Sequence, residues 1–515
     1  MKPIDLALPE KFPGFRSRQL EIAAKVNASA KYAYLLDAPT GVGKSLIAAT
    51  IQRLAKKNIV YVCTTKQLQD QLINDFPYAK TVKGRGNYPC LKFPGMFPDI
   101  SAEECNHSDN NECKFHMKCP YIVAKREARG APIAVLNMAY FLSEVNFVGM
   151  FSGYDLLVVD EFDTLEDQLM NHVEVQITKA QLDRLDVPPP RYKTKFESWV
   201  EWARPTLLKF QAELRELEAQ TDKDGAWTTV DIQLLRRKRN VGRLVTKLAF
   251  FVREVDQNWV WYPGADKWTF KPVWVSKYAQ NAVWKHAKKV LGMSATILDP
   301  KQVSVNTGLF TDNKTYDYMQ MPSPFPKENR PVYYEPCANV INKQMDVALP
   351  MLAKALQNIL DKHPDERILV HTRSYKVRDY LVKRLANPRI MTHSTADRSA
   401  KLEQFKTSDK PLVLMSPSMD RGVDLPEEEC RVVVICKMPY PDLGDLQVSR
   451  RVHASKDGNK WYAHKTVSAV VQMSGRAVRS ETDYAVTYIL DSQFEKIYNE
   501  HRDLFPKWWK EAVIM

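Results

Sequence analysis

The 515-residue chain is too long for a single hydrophobic core, and at about 100–200 residues per domain its length indicates three or four structural units. Its 44% apolar content argues against a disordered chain, and no apolar run approaches the ~20 residues that a membrane-spanning helix needs. Lys and Arg outnumber Asp and Glu by 74 to 61, and the resulting net charge of +13 favours a polyanionic partner without requiring one. The first residues lack the apolar stretch of a secretory signal, so we expect a cytoplasmic protein with no membrane partner.

The first part of the chain alternates short apolar strands with helical patterns. Residues 33–38, 58–65 and 154–163 are predicted strands, and helical patterns follow the first two. Such alternation predicts a parallel sheet with helices on both faces. Residues 83–120 are rich in Pro, Gly, Asn and Cys and have almost no periodicity, which indicates an insertion into this unit.

From about residue 166 to 285 the alternation of strands and helices stops. Helical patterns lie around 206–220 and 230–255, and eight of the eleven tryptophans fall between Trp199 and Trp284. We interpret this region as a separate, mostly helical insertion.

The α/β pattern returns at residues 288–297, a predicted strand that rejoins the first sheet. A connector over 319–336 leads to a second alternating series that has no phosphate loop of its own. Its predicted strands are 367–374, 411–418, 430–439 and 484–491. The predicted fold class is α/β, with two parallel-sheet domains.

Residues 38–45 have the pattern of a phosphate-binding loop. They follow a predicted strand and open a predicted helix, which is the context that such a loop requires. Glycines there let successive backbone N–H groups face a phosphate at the positive end of the helix dipole. Lys44 is expected to neutralise the β- and γ-phosphates of ATP, and the Ser45 hydroxyl to bind Mg²⁺.

Asp160 and Glu161 end an apolar strand. In a phosphate-loop protein Asp160 is expected to hold Mg²⁺, and Glu161 to orient and deprotonate the attacking water. The alternative is a simple acidic turn, which the preceding phosphate loop disfavours.

Gln472, Arg476 and Arg479 share one face of a predicted helix, at positions i, i+4 and i+7. One arginine is expected to stabilise the transition state and the other to hold the γ-phosphate. Taken alone, two arginines three apart on a helix usually form a solvated face, but the preceding motifs favour the catalytic interpretation.

The ordered set of motifs resembles the superfamily 2 helicases and, within them, the iron–sulfur-containing XPD/DinG-like branch. Residues 15–19 resemble the adenine-reading Q-motif, and Ser294, Ala295 and Thr296 resemble motif III. Similar motifs Ia, IV and V lie at 64–67, 369–374 and 421–426, the last followed by 437–440. The resemblance covers almost the whole chain and implies two RecA-like motor domains with ATP bound between them.

The resemblance also implies which residues contact ligands. The expected nucleotide contacts are Arg16, Gln19, Thr40, Gly41, Val42, Gly43, Lys44, Ser45 and Asp424. The expected nucleic-acid contacts are Thr65, Thr372, Arg373 and Arg421.

Four of the eight cysteines, Cys90, Cys105, Cys113 and Cys119, fall within thirty residues, which in a reducing cell indicates a metal site. Four thiolates suit a 4Fe–4S cluster and a tetrahedral zinc ion equally, and His107 or His116 could replace one of them. The position between motifs Ia and II, and the closing Cys-Pro-Tyr, resemble the branch and favour the iron–sulfur cluster.

By the same resemblance the helical insertion corresponds to an Arch domain. Its basic stripe, comprising Arg236, Arg237, Lys238, Arg239 and Arg243, is predicted to contact phosphates, although a solvated face accounts for it equally well. The expected domains are a first motor domain at 1–82, 121–165 and 286–318, a cluster insertion at 83–120, an Arch-like domain at 166–285 and a second motor domain at 319–515.

The sequence departs from the family pattern at three points. Asp163 stands where the branch has the histidine of its D-E-A-H motif, and Asp420-Arg421-Gly422 replaces a Trp-Glu-Gly in motif V. The 36 residues before Asp37 leave no room for the exonuclease domain of some relatives. We therefore expect a reduced member of the branch, compatible with a phage origin, located in the host cytoplasm if viral and otherwise associated with the nucleoid.

The expected function is ATP-dependent unwinding of forked DNA by a monomer that moves along single-stranded DNA, with 5′→3′ polarity implied by the resemblance. Three alternatives stay open: a helicase of RNA or RNA–DNA hybrids, a translocase that strips proteins without unwinding, and an ATP-gated scaffold.

Overall fold

The computed structural model describes residues 1–16, 18–93, 99–104, 113–221, 228–309, 315–419, 425–454, 457–475, 478 and 482–515. The strands within these ranges are β1 (Ala33–Asp37), β2 (Ile59–Cys63), β3 (Ala79–Thr81), β4 (Ile133–Asn137), β5 (Leu156–Asp160), β6 (Val175–Thr178), β7 (Trp259–Pro263), β8 (Lys267–Pro272), β9 (Val290–Ser294), β10 (Tyr316–Gln320), β11 (Val332–Ala338), β12 (Ile368–His371), β13 (Ile390–Thr392), β14 (Val413–Ser416), β15 (Val432–Ile435), β16 (Val486–Asp491) and β17 (Val513–Ile514).

The α-helices of the same ranges are α1 (Gln19–Ala28), α2 (Lys44–Ala55), α3 (Lys66–Asp75), α4 (Pro120–Gly130), α5 (Met138–Phe147), α6 (Leu165–Val173), α7 (Lys179–Arg184), α8 (Phe196–Thr221), α9 (Thr229–Glu254), α10 (Ser276–Ala282), α11 (Pro300–Asn306), α12 (Met345–Lys362), α13 (Tyr375–Leu385), α14 (Arg398–Thr407), α15 (Leu446–Ala454), α16 (Asp457–Ser474), α17 (Gln493–Glu500) and α18 (Lys507–Lys510).

The first domain is built on a parallel seven-stranded sheet in the order β10-β1-β9-β5-β2-β4-β3. Strands β1, β2, β5 and β9 are buried along their whole length, as expected where helices cover both faces of a sheet. The predicted strand after the insertion is confirmed, since β9 lies between β1 and β5. Because all strands run the same way, Asp37, Asp160 and Ser294 end at one edge, where α/β sheets bind their ligands.

The second domain has a parallel seven-stranded sheet in the order β13-β14-β12-β15-β16-β11-β17. The four predicted strands of this series are present as β12, β14, β15 and β16. The region predicted to be a connector also contains strands, because β10 completes the first sheet and β11 joins the second. The predicted fold class, two parallel-sheet α/β domains, is confirmed.

The region between β5 and β9 contains the two long helices α8 and α9 and an antiparallel sheet in the order β6-β8-β7. The prediction of a mostly helical insertion missed this sheet. Its core is aromatic: the Phe270 ring lies 5.8 Å from Trp199, 5.6 Å from Trp202 and 5.5 Å from Trp261. The tryptophans therefore stabilise the Arch-like insertion from within.

The Arch-like insertion also contacts the second domain. The Tyr262 hydroxyl donates to Asp445 Oδ1 at 2.7 Å, Gln447 Nε2 donates to the Pro272 carbonyl at 2.9 Å, and Arg450 donates to the Trp259 carbonyl at 2.8 Å. The small sheet is thus fastened to α15 and to the turn before it. No helix in the described part of the chain is long and apolar enough to cross a lipid bilayer.

Candidate active site

The phosphate loop leaves β1 and turns into α2. Gly41 and Gly43 have φ values of +81° and +76°, in the left-handed region that favours glycine, and Gly43 is the N-cap of α2. The Ala38 N–H donates to the Ser294 carbonyl at 2.6 Å, which fixes the start of the loop against β9. Lys44 and Ser45 begin the helix, where backbone N–H groups and the helix dipole favour an anion.

Three charged side chains meet beside this loop. Lys44 Nζ lies 3.9 Å from Glu161 Oε1. The buried Asp160 accepts hydrogen bonds from the Tyr61 hydroxyl at 2.8 Å and from the Glu161 N–H at 3.0 Å. Glu161 has a φ of +53°, and such a strained conformation persists only where the surrounding structure holds it. One cation and two oriented carboxylates therefore line one crevice.

A buried hydrogen-bond relay connects this crevice to the second domain. The Ser294 hydroxyl donates to Asp163 Oδ1 at 2.6 Å, and the Thr296 N–H donates to the Ser294 hydroxyl oxygen at 3.1 Å. Gln472 Nε2, on α16, donates to Thr296 Oγ1 at 2.8 Å. Asp163 thus makes the first contact of a path between the domains, although it replaces the usual histidine.

The end of α16 lies against the phosphate loop. The Thr40 hydroxyl donates to the Gly475 carbonyl at 3.5 Å, directly after the helix. The Phe325 ring covers Gly41 so closely that a Cβ there would overlap it. Arg476 and Arg479, the predicted catalytic arginines, lie outside the described residues, so their roles stay predictions.

Gln19 and Arg16 contact the phosphate loop directly. The buried Gln19 side chain donates to the Val42 carbonyl at 2.7 Å and accepts from the Arg16 N–H at 2.8 Å, and the Arg16 guanidinium donates to the Gly41 carbonyl. These hydrogen bonds hold the backbone of the phosphate loop in place. The adenine contact inferred for both residues stays a prediction.

Asp37 is a residue of the site that the sequence patterns did not identify. It is fully buried before the phosphate loop and accepts from the Leu298 N–H at 3.2 Å, the Tyr318 hydroxyl at 3.3 Å and the Gln320 amide at 3.2 Å. Burial raises the pKa of Asp37 to about 6 against these favourable contacts. The sequence signal that could have identified Asp37 is its position, because it is a carboxylate that ends an apolar strand.

Glu166 is a second residue that the sequence patterns missed. It lies in the first turn of α6, and both its ion-pair partners belong to the second domain: Arg451 contacts it closely, and Lys465 lies 3.3 Å away. The indole N–H of Trp461 donates to it at 3.3 Å. Burial raises the pKa of Glu166, but Arg451 and Lys465 outweigh burial and hold it at about 2. Glu166 is therefore ionised and joins the two domains.

The predicted nucleic-acid contacts have varied surroundings. The Thr65 hydroxyl caps α3 by accepting from the Leu68 N–H at 3.3 Å. Thr372 is fully buried, so a direct contact with a phosphate would require it to move. Arg373 is half-buried at the end of β12 with a φ of +53°. Arg421 lies outside the described residues, as does Asp424, and all these contacts stay predictions.

The basic stripe on α9 already contacts other side chains, and its four arginines pair with glutamates. Arg236 and Arg239 lie 3.4 and 3.0 Å from Glu104, and Arg243 lies 2.5 Å from Glu103. The other two members of the stripe, Arg237 and Lys238, contact Glu213 at 2.6 Å and Thr221 at 3.2 Å. These contacts connect α9 to the segment around Glu103 and to α8, and the contact of the stripe with phosphates stays a prediction.

The predicted cluster segment is only partly described. Cys90, Cys113 and Cys119 are half-buried and form no disulfide, whereas Cys105 and His107 lie outside the described residues. Among the residues that are described, no three His, Cys, Asp or Glu side chains are gathered as metal ligands. One of the four predicted ligands, Cys105, is not among these residues, so the cluster stays a prediction.

Two family models match the chain. The Type III restriction enzyme, res subunit, matches residues 13–181, and the Helicase C-terminal domain matches residues 356–512. A probable ATP-dependent helicase of Methanocaldococcus jannaschii is 22% identical, over 95% of this chain and 93% of that protein. The ATP-dependent DNA helicase YoaA of Escherichia coli strain K12 has the same identity and coverage. A solved XPD helicase covers 97% of this chain and 99% of its own, with a TM-score of 0.66 at 15% identity, which shows a shared fold.

The matched segments contain the phosphate loop and the Asp160-Glu161 pair at one end and Gln472 at the other. The order of the motifs, the similarity along the whole chain to ATP-dependent helicases and the XPD fold all agree. The protein is therefore an ATP-hydrolysing helicase, similar along its whole length to ATP-dependent helicases and sharing the XPD fold.

Proposed function

We propose that the protein is a DNA helicase that moves 5′→3′ along single-stranded DNA and uses ATP hydrolysis to unwind forked duplexes. The observation that carries this proposal is the contact between α16 and the first domain. Gln472 bonds to Thr296 and Gly475 to Thr40, so the helix that leads to Arg476 ends at the phosphate loop.

In this proposal each charged group of the crevice has a separate task. Lys44 and the loop N–H groups bind the ATP phosphates, and Glu161 orients the attacking water and accepts its proton. Ser45 and Asp160 fit Mg²⁺, because the Asp160 carboxylate is oriented by Tyr61 at the edge of the sheet; the ion neutralises phosphate charge when bound. Arg476 and Arg479 supply cations from the second domain.

The choice of DNA is supported by the relatives and by charge. YoaA and chl-1 of Caenorhabditis elegans are DNA helicases, and the net charge of +13 suits a polyanion. The 5′→3′ polarity rests on family resemblance. We further propose that a monomer acts in the cytoplasm, and the molecular mass in solution with and without DNA tests the oligomeric state.

Unwinding assays on matched forks of DNA, RNA and RNA–DNA hybrid test this function. We expect ATP-dependent unwinding of the DNA fork with a 5′ single-stranded tail, and a Glu161→Gln variant that binds ATP but hydrolyses it at least ~100-fold more slowly. Faster unwinding of the RNA fork than of the DNA fork would indicate an RNA helicase instead of a DNA helicase. Rapid DNA-stimulated hydrolysis without strand separation would indicate a protein-stripping translocase, and full biological activity of Glu161→Gln would indicate a scaffold.

We also propose that Cys90, Cys105, Cys113 and Cys119 bind an iron–sulfur cluster that shapes a strand-separating wedge. The position of the segment, between β3 and β4 of the first domain, supports this assignment. Purification without oxygen should give about four irons per chain, and a Cys113→Ser variant should lose the iron and the unwinding of forks. Zinc in place of iron, or normal unwinding by Cys113→Ser, would contradict the proposal.

A further inference from the structure

The residues around Trp509, near the end of the chain, pack into the second domain. The Trp509 side chain is 2% exposed, and its ring centroid lies 4.9 Å from Phe505, 6.0 Å from Phe494 and 6.4 Å from Tyr498. Strand β17, which follows, pairs with β11 of the second sheet. Packing and strand pairing therefore hold the Trp509 ring in one place.

Trp509 is bonded to the end of α16. Its indole N–H donates to the Ser474 hydroxyl oxygen at 2.6 Å. That hydroxyl also lies 3.1 Å from the Val470 carbonyl and 3.2 Å from the Val471 carbonyl, so it accepts from Trp509 while it donates to the last turn of the helix. The carbonyls at the end of a helix have no partner within the helix. Ser474 therefore links the Trp509 ring to the end of α16, so that the ring determines where the helix ends in space.

Trp508, the neighbouring residue, packs against Arg330, whose guanidinium lies 5.5 Å from the centre of the Trp508 ring. It is also buried, but its indole N–H has no hydrogen-bond partner in the described part of the chain. Both rings line the same small cavity, of about 30 Å³, together with Pro39 and Thr40 of the phosphate loop. The two tryptophans therefore share a location at the domain interface, and only one is bonded to α16.

The backbone is held on both sides of residues 476 and 477. On one side Ser474 is bonded to Trp509, and the Gly475 carbonyl accepts from Thr40. On the other side Val478 is buried in a cluster with Phe325, whose ring covers the phosphate loop at Gly41. The segment that contains Arg476 therefore begins from a fixed point beside the phosphate loop.

We propose that Trp509 is a positioning residue for ATP hydrolysis: its indole N–H fixes Ser474, and thereby sets where the chain enters the segment that contains Arg476. This proposal rests on the function proposed above for Arg476. An arginine that stabilises a transition state acts only in a narrow geometry, and a displacement of about 1 Å can reduce turnover ~100-fold. Loss of the Trp509 bond should therefore reduce the rate of hydrolysis more than ATP binding.

The test compares Trp509→Phe with Trp508→Phe, two adjacent and chemically identical changes, in the full-length protein. We expect Trp509→Phe to lower the DNA-stimulated kcat ~10-fold with the KM for ATP changed less than ~2-fold. Trp508→Phe should keep the wild-type kcat. Both changes remove a buried indole, and thermal unfolding measures their effect on stability, which we expect to be somewhat larger for Trp509→Phe because only Trp509 loses a hydrogen bond.

Ser474→Ala provides a second route that leaves the aromatic cluster intact. It should lower kcat as much as Trp509→Phe does, and the double variant should be no slower than either single variant, because both remove one interaction. Equal kcat values for the two Trp variants, or additive losses in the double variant, would overturn the proposal. A wild-type protein without DNA-stimulated hydrolysis would contradict the proposed function instead.

Discussion

Asp37 shows how the environment of a single residue makes stability depend on pH. The carboxylate is fully buried, and one of its oxygens, Oδ1, has no hydrogen-bond partner among the described residues. Burial raises its pKa from 3.8 to about 6. The folded protein therefore holds a proton that the unfolded chain releases between pH about 4 and about 6, and stability falls as pH rises through that interval and is constant above it.

Asp37→Asn should remove this dependence. We expect the variant to be more stable than the wild type at pH 8 by ~3 kcal/mol, with the difference shrinking towards pH 5. Urea unfolding followed at both pH values measures it. Asp365→Asn, which changes an exposed aspartate, is the control and should leave the pH profile as it was. A wild-type stability that is unchanged between pH 5 and 7 would show that Asp37 stays ionised.

At the scale of elements, α16 packs one face along the first domain. Trp461 and Lys465 contact Glu166, and Gln472 contacts Thr296 two turns further on. The ionic contacts of Glu166 are almost free of water, since Arg451 and Glu166 are 4% and 6% exposed. Removing one partner of such a buried pair leaves the other charge unbalanced, which is costly.

Glu166→Gln should therefore destabilise the protein by ~3–5 kcal/mol at neutral pH. Asp167→Asn, at the next position, removes an exposed carboxylate that also contacts Lys465 and should cost less than ~1 kcal/mol. The pKa of Glu166 is lowered from 4.5 to about 2, so its contribution is complete above pH 4.5 and is lost as pH falls towards 2. Thermal unfolding at pH 7 compares the two variants, and equal shifts would exclude a special role for Glu166.

The strands of both sheets were predictable where their residues are fully apolar, because apolar runs of four to six residues between helical patterns are typical of buried parallel strands. Strands β3, β10, β11, β13 and β17 were missed since they lie at or near the edges of sheets and are only partly buried. Strand β4 was also missed, although it is as apolar as β5. The pairing of β6 with β8 joins residues about ninety positions apart, which no local pattern records.

The residues of the candidate site were also predictable only where a local sequence pattern marks them. The phosphate loop, Asp160 and Glu161 could be located from local patterns, and Gln472 from its place after them in the ordered set of motifs; their catalytic roles stay predictions. Glu166 was not, since its importance depends on partners almost three hundred residues away. Trp509 was missed for the same reason, because its partner Ser474 lies thirty-five residues earlier in the chain.

For the whole molecule, the segment containing Glu103 and Glu104 is held to α9 by ion pairs. Arg236 and Arg239 contact Glu104, and Arg243 contacts Glu103, with side chains that are 24–64% exposed on the arginine side. Pairs that are open to water contribute little individually and weaken with salt. Their effect here comes from several pairs joining the same two segments.

A Glu103→Gln/Glu104→Gln double variant should weaken the contact between α9 and the segment that contains residues 103 and 104, which we call the junction. We expect chymotrypsin, which does not cleave at the altered residues or at the freed arginines, to cut within residues 83–120 several-fold faster than in the wild type. High salt should accelerate the cleavage of the wild type towards that of the variant. Identical cleavage rates at low salt would mean that apolar contacts, such as Ile100 with Ile232 and Leu235, hold the junction alone.

The bonds between α15 and the small sheet of the Arch-like insertion have a mechanical consequence. The insertion is covalently part of the first domain, yet Tyr262, Pro272 and Trp259 are tied to Asp445, Gln447 and Arg450 of the second. In the proposed motor cycle the two domains separate and close again, and the insertion cannot move with both of them at once. Such a motion would therefore either tilt the whole insertion against one domain or break these hydrogen bonds in every cycle.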